Sequence, residues 1–319
     1  MLPKITVPSP LVAALLAPAL LATAACGGPV RNGFDLGNAS IPTSEIQKGG
    51  PPRDGIPSID DPAFIPAKAA DFLRPRDTVI GLEVDGDARA YPLRILVWHE
   101  IVNDTVGGRP VAVTYCPLCG TAMTFDRQYG GKVLEFGVSG LLYQSDVLMY
   151  DRRTESLWSQ LGLGAVSGPM RGTELKWVPS TQTTWADWRE QHPETRVLST
   201  DTGYRRDYDS DPYAGYDSRS GTLFPVPEHR DELSNKAWVA GVRIDGRAKA
   251  YPLEALPADA FTDRVGAKEL RLQWHPDKRR LDVRTASGET VPVVHAFWFA
   301  WQAFYPETAL WEKDGGGRE

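Results

Sequence analysis

From Arg76 to Trp311 the apolar and polar positions mostly alternate, a period of two that predicts strands. "IGLEVDGDARAYPL" (80–93) and "AGVRIDGRAKAYPL" (240–253) place alternating runs on both sides of an Asp-Gly pair, the pattern of a tight hairpin. "PVAVTYCPLCGTAMTFD" (110–126) alternates in the same way around a Cys-Pro-Leu-Cys-Gly turn. Helical spacing is confined to two short stretches, with Trp185 and Trp188 three apart in one and Trp298 and Trp301 three apart in the other. Their aromatic character and their recurrence predict a packing role.

These stretches recur in order. "IGLEVDGDARAYPLRIL" (80–96) matches "AGVRIDGRAKAYPLEAL" (240–256), "DTVGGRPVAVTYCP" matches "DRVGAKELRLQWHP", and "VPSTQTTWADWREQHPET" matches "VPVVHAFWFAWQAFYPET". The expected fold is therefore a β-dominated α+β protein of two related β-rich halves, an internal duplication in which each half ends in a short Trp-bearing helix. Residues 76–200 form the first repeat and residues 237–312 the second, a scaffold. The first carries an additional hairpin between Gly131 and Leu175, expected to enlarge the sheet beside the cysteine turn. Residues 201–236 make a polar connector and 313–319 a disordered tail. Residues 26–75, rich in Gly, Pro, Ser and Asp, read as a tether and lead-in, so the folded part is expected to begin near Arg76.

The chain has 319 residues, 42% hydrophobic and 24% charged, enough for a real core without disulfides. A net charge of -6 without any Lys/Arg run excludes nucleic acid as a partner, because phosphate binding needs a basic face. The apolar run Leu11–Ala25 is too short to be a good membrane span and predicts a signal peptide over residues 1–25. Cys26 then stands where a bacterial lipoprotein carries its acylated cysteine, although Thr23 replaces the usual leucine. The alternative is cleavage near Ala22–Ala24 and plain secretion. The expected location is outside the cytoplasmic membrane, with the lipid anchor making the membrane a partner; the sequence indicates no particular small-molecule or protein partner.

With Cys26 lipidated, Cys116 and Cys119 are the cysteines left in the folded body. Outside the cytoplasm such a pair is expected to bind metal or oxidise unless it is buried and inert. A Cys-Pro-x-Cys-Gly turn between strands directs both sulfurs to one side, with Gly120 supplying the positive φ, and suits zinc or copper. His99 is the first candidate for a further ligand, ahead of Met149, Met123 or a carboxylate. The same pair could instead serve a thiol/disulfide oxidoreductase, although "GTAMTFDRQ" does not read as the helix start that lowers a redox thiol's pKa. A third reading is a non-catalytic structural or binding lipoprotein in which the cysteines form a disulfide clip. Neither cysteine recurs: Cys116 aligns with His275 and Cys119 with Lys278. Any chemistry therefore belongs to the first repeat. If the protein is an enzyme, Asp151, Arg152 and Glu155 in "DVLMYDRRTESLWSQ" are its candidate catalytic or substrate-contacting residues. "DYDSDPYAGYD" (207–217) lacks the glycine and glutamate of an EF-hand and reads as a solvated connector. The common hydrolase, zinc-protease and nucleotide-binding motifs are absent.

"YCPLCGTAMTFDR", "FGVSGLLYQSDVLMYDRRTESLWSQ", "HPETRVLS" and "AFWFAWQAFYPET" together resemble the domain-of-unknown-function family 3179 of bacterial and archaeal extracytoplasmic proteins. The likeness spans about residues 60 to 311. The family motif falls on Cys116, Cys119, Asp151, Arg152, Thr154, Ser156, Leu157, Trp158 and Gln160. The resemblance implies an extracytoplasmic setting and the importance of these positions; it does not choose between metal and redox chemistry.

Overall fold

The computed structural model describes residues 28–227 and 229–313. The alternation dominates: strands take up 41% of the chain and helices 11%, and five small sheets form a ring like that of a five-bladed β-propeller. Each Asp-Gly pair turns as its sequence predicts, with Asp85, Gly86, Asp245 and Gly246 all at positive φ.

Two of the sheets build the site. In the cysteine sheet, Ile101–Val106, Arg109–Cys116, Thr121–Asp126 and Trp177–Val178 follow one another as antiparallel neighbours. In the aspartate sheet the order is Ile46–Lys48, Phe136–Tyr143, Asp146–Asp151, Leu157–Ser159 and Gly164–Ser167. One core joins them, with Trp158, Met149, Met123, Phe125 and Phe136 all essentially sequestered from solvent.

The recurrent tryptophans pack as expected. A Cβ on Gly81 would lie 2.2 Å from the Trp188 ring, and one on Gly241 would lie 2.2 Å from the Trp301 ring. Only glycine lets each indole lie flat on its strand. Trp188 Nε1 donates to Thr195 Oγ1, and Trp301 Nε1 to Thr308 Oγ1, both at 2.9 Å.

Three expectations need correction. The class is not α+β with two halves that end in helices. The α-helices among the described residues are Leu93–Leu96, Trp185–Gln191 and Trp298–Phe304, and the last two are followed by Arg196–Leu198 and Ala309–Leu310, which rejoin sheets as parallel strands. Seven-residue helices of two turns cannot form a layer of their own, so they cap sheet units instead. The folded part also begins well before Arg76, because Phe34, Leu36 and Ile46 are buried against Leu141, Leu148 and Tyr150. Finally, the insertion after Gly131 builds most of the separate aspartate sheet rather than widening the cysteine sheet.

Candidate metal centre

The cysteine turn is fixed at every residue. Cys116 pairs with Thr121, the Cys119 N–H donates to the Cys116 carbonyl at 3.2 Å, and Gly120 closes the turn at φ +69°. A Cβ on Gly120 would come within 2.5 Å of the Trp238 ring, so the position needs glycine both for its backbone and for its space. The Phe297 N–H donates to the Cys119 carbonyl at 2.8 Å, holding the turn from a neighbouring sheet.

The aspartate sheet reaches the turn from the other side. Gln144 and Ser145 are both left-handed, which makes a tight reversal and starts the next strand at Asp146. The Ser145 carbonyl accepts from Cys119 Sγ at 3.3 Å and, at the long distance of 3.9 Å, from Cys116 Sγ. One ligand atom from each of Cys116, Cys119 and Asp146 lies within 4.8 Å of the other two. Asp146 Oδ2 accepts from the Leu161 N–H at 2.9 Å, while its Oδ1 is buried with no hydrogen-bond partner. The neighbouring Gln160 ties the sheets together: its amide donates to Thr114 Oγ1 at 2.7 Å and accepts from Thr121 Oγ1 at 2.6 Å. Those threonines flank the cysteines.

Burial governs the charges here. It raises the Asp146 carboxyl to about 7, against the opposing effect of the Leu161 and Val147 N–H groups and of the Cys116 and Cys119 thiols. Glu100, also buried and in the field of Asp146, is raised to about 8. Burial pushes both thiols up as well, Cys119 well above an ordinary cysteine. An apolar enclosure that disfavours thiolate and carboxylate holds its protons until a cation compensates the charge. Two sulfurs and a carboxylate, all buried, form a donor set that fits zinc or another borderline-to-soft ion.

His99 is not part of this group. Its Nδ1 lies 2.8 Å from the Pro57 carbonyl and its Nε2 lies 2.7 Å from the Tyr208 hydroxyl, and burial lowers its pKa. Both nitrogens are committed on the other side of the segment. It is the next residue, Glu100, held in a left-handed conformation at φ +58°, that shares the field of the cysteines and Asp146.

The polar candidates are engaged elsewhere. Asp151 accepts from the Thr154 N–H and hydroxyl, both at 2.6 Å, and from Trp158 Nε1 at 2.9 Å, so it organises its own turn. Arg152 pairs with Asp54, Asp60 and Glu135, and Glu155 pairs at the surface with Arg53. Met123 and Met149 lie in the surrounding core. The connector, expected to be solvated, instead buries Tyr208 and Tyr216, and Ser145 Oγ donates to the Phe224 carbonyl within it. Cys26 and the signal segment lie outside the described residues, among which no helix is long and apolar enough to cross a membrane.

Comparison with known proteins adds one finding. The model of a family described as "Protein of unknown function (DUF3179)" matches residues 53–288. The chain belongs to the DUF3179 family. The matched span takes in the whole cysteine sheet and most of the aspartate sheet, so every ligand of the candidate centre lies in DUF3179 sequence. No curated protein and no solved structure matches.

Proposed function

We propose that this DUF3179 protein binds a soft or borderline metal ion, zinc or copper, through Cys116, Cys119 and Asp146. The observation that carries the reading is the convergence of two buried thiols on one buried carboxylate, whose Oδ1 makes no hydrogen bond of ordinary geometry and is approached by the thiols themselves. Thiols are weak donors to a buried carboxyl, and a cation would replace their protons and bind the carboxylate together with both sulfurs. Three donors leave a tetrahedral ion one further position for water or a ligand. The raised thiol pKa values weigh against the thiol/disulfide oxidoreductase reading, since exchange proceeds through thiolate, and the turn leads into strand Thr121–Asp126 rather than a helix. The protein is further proposed to act outside the cytoplasmic membrane, held there by lipid on Cys26, a setting drawn from its N-terminal sequence.

The test is metal content and free-thiol count on one anaerobically purified sample. About one equivalent of zinc or copper is expected in the wild type and none in Cys116→Ser/Cys119→Ser; Asp146→Asn is expected to weaken retention at least about tenfold. Absence of metal together with absence of free thiols would overturn the proposal in favour of a disulfide.

A further inference from the structure

The two repeats differ at one sheet edge. In the first, Arg196–Leu198 lies parallel to Asp87–Pro92 and is covered on its other side by Phe64–Pro66, antiparallel to it. The Ala67 N–H donates to the Thr195 carbonyl at 3.2 Å and the Ser199 N–H to the Ala63 carbonyl at 2.8 Å, and Val197, midway between them, pairs with Ile65. In the second, Ala309–Leu310 lies parallel to Arg247–Pro252 in the same way, but among the described residues no strand lies beyond it. The Trp311 N–H donates inward to the Ala250 carbonyl at 2.8 Å, so Leu310 turns its own N–H and carbonyl outward, as Val197 does. Val197 and Leu198 are fully buried, whereas Leu310 and Trp311 stay partly exposed. The edge borders a groove of about 1160 Å³ walled by Phe261, Phe304, Tyr305 and Trp311.

Proline explains why this chain does not cover the edge itself. Counted back from Gly81 and Gly241, Phe224-Pro225-Val226-Pro227 stands where the first repeat has Phe64-Ile65-Pro66-Ala67. Ile65 and Ala67 are the residues whose N–H groups face the covered strand, and both are replaced by proline, which has no N–H to give. The second segment runs to the cysteine site instead, where the Phe224 carbonyl accepts from Ser145 Oγ at 3.1 Å. Arg230 Nη1 caps only the start of the vacant edge, donating to the Pro306 and Thr308 carbonyls at 2.9 and 2.7 Å. Unpaired backbone groups on such an edge are a template for a strand from another chain.

Charge complementarity selects which chain. A second copy related by a twofold axis through Leu310 runs antiparallel, the direction that Phe64–Pro66 takes on the first repeat. The Leu310 N–H of each copy then meets the Leu310 carbonyl of the other, so one contact satisfies both. The same symmetry sets Glu307 of each copy opposite Lys313 of the other, and Glu312 opposite Thr308, whose carbonyl Arg230 holds. Glu307, Glu312 and Lys313 are all exposed and form no ion pair among the described residues.

We infer that Ala309–Leu310 is an interface through which two copies of this chain join edge to edge, extending one four-stranded sheet into its twofold mate. The inference goes beyond metal binding and does not require it.

The experiment is analytical ultracentrifugation of the full chain over a range of concentrations, with metal content measured on each sample. A contact of two short strands is small, so a weak dimer is expected, with a dissociation constant of about 10 to 500 μM. Leu310→Pro removes a donor that only the second copy uses and is expected to leave a monomer. Lys313→Glu sets like charges opposite each other and is expected to weaken the dimer at least about fivefold, while Glu307→Lys combined with Lys313→Glu restores it to within about twofold of wild type. Should Leu310→Pro fail to fold, the charge pair decides alone. A wild type that stays monomeric to about 1 mM overturns the inference, as does association unchanged in either folded single variant or a double variant no tighter than Lys313→Glu. A monomer whose Leu310 amide responds to an added peptide of sequence Ala63–Ala67 also overturns it, assigning the edge to another polypeptide. Metal content is expected to be the same in every variant, so failure here leaves the reading of Cys116, Cys119 and Asp146 as it stands.

Discussion

Two three-stranded meanders in this chain, Ile101–Asp126 and Phe261–Thr285, turn in the same way. Each second turn follows a strand that ends just before a proline, Cys116-Pro117 in one and His275-Pro276 in the other. The pairing across the turn is equivalent, Cys116 with Thr121 and His275 with Arg280, and the residue before the return strand is left-handed in both, Gly120 at φ +69° and Arg279 at φ +52°. The surroundings are opposite. The first turn is sealed beneath the aspartate sheet and the connector. The second is charged and grips the helix Trp185–Gln191, with Lys278 Nζ 2.8 Å and Arg280 Nε 3.1 Å from the Asp187 carboxylate. One backbone plan thus lies buried in one case and clamps a helix in the other. What decides the role is which sheet lies over the turn.

The largest effect should come from breaking the covered turn at its glycine. Gly120→Ala adds a Cβ in a left-handed position and against the Trp238 ring, and is expected to cost about 3 kcal/mol or more by chemical denaturation. A loss under about 1 kcal/mol would show that the turn yields easily.

The acids over that turn give the next effect. Burial raises Asp146 and Glu100 above their unfolded values, so the folded metal-free protein binds more protons than the unfolded chain between about pH 4 and 8. The stability they contribute is therefore fully present at low pH and lost as pH rises through about 7 to 8. Each tenfold difference in proton affinity between the folded and unfolded chain is worth about 1.4 kcal/mol. Thermal melts from pH 5 to 8.5 should accordingly show a fall of a few kcal/mol that is reduced in Glu100→Gln and absent once metal is bound. Identical pH profiles for wild type and Glu100→Gln would remove Glu100 from the site.

At the exposed turn, Asp187→Ala leaves Lys278 and Arg280 without their shared carboxylate. Their partial exposure softens the penalty, so a loss of about 2 kcal/mol is expected, with metal content unchanged. The smallest effect sharpens the comparison: Arg279→Gly relieves the left-handed strain but frees the unfolded chain, and should stay within about 1 kcal/mol of wild type. A large loss there would mean that Arg279 does more than occupy a turn.

Much of this was legible in the sequence and some was not, for physical reasons. Local signals held: the Asp-Gly hairpins, the Cys-Pro-Leu-Cys-Gly turn between strands and the glycine that closes it. The helical spacing of Trp185 and Trp188 also marked a real helix, but it could not show that two turns are too few to shape the fold. His99 was a reasonable ligand by type, yet adjacent residues project to different sides, and it is Glu100 that faces the cysteines' field. Asp146 has no spacing that relates it to Cys116 or Cys119, because they meet only when separate sheets pack. The tyrosines of the connector were hidden among aspartates and prolines whose polarity suggested solvent.

The Ser145–Asp146 reversal touches a turn from which it is separated by about 25 residues of chain, and no backbone ladder joins their two sheets. An ion shared by Cys119 and Asp146 would therefore join the two sheets only while the chain is folded, stabilising it by its binding free energy. Metal supply would then set how strongly the ring resists being pulled or digested apart at that seam.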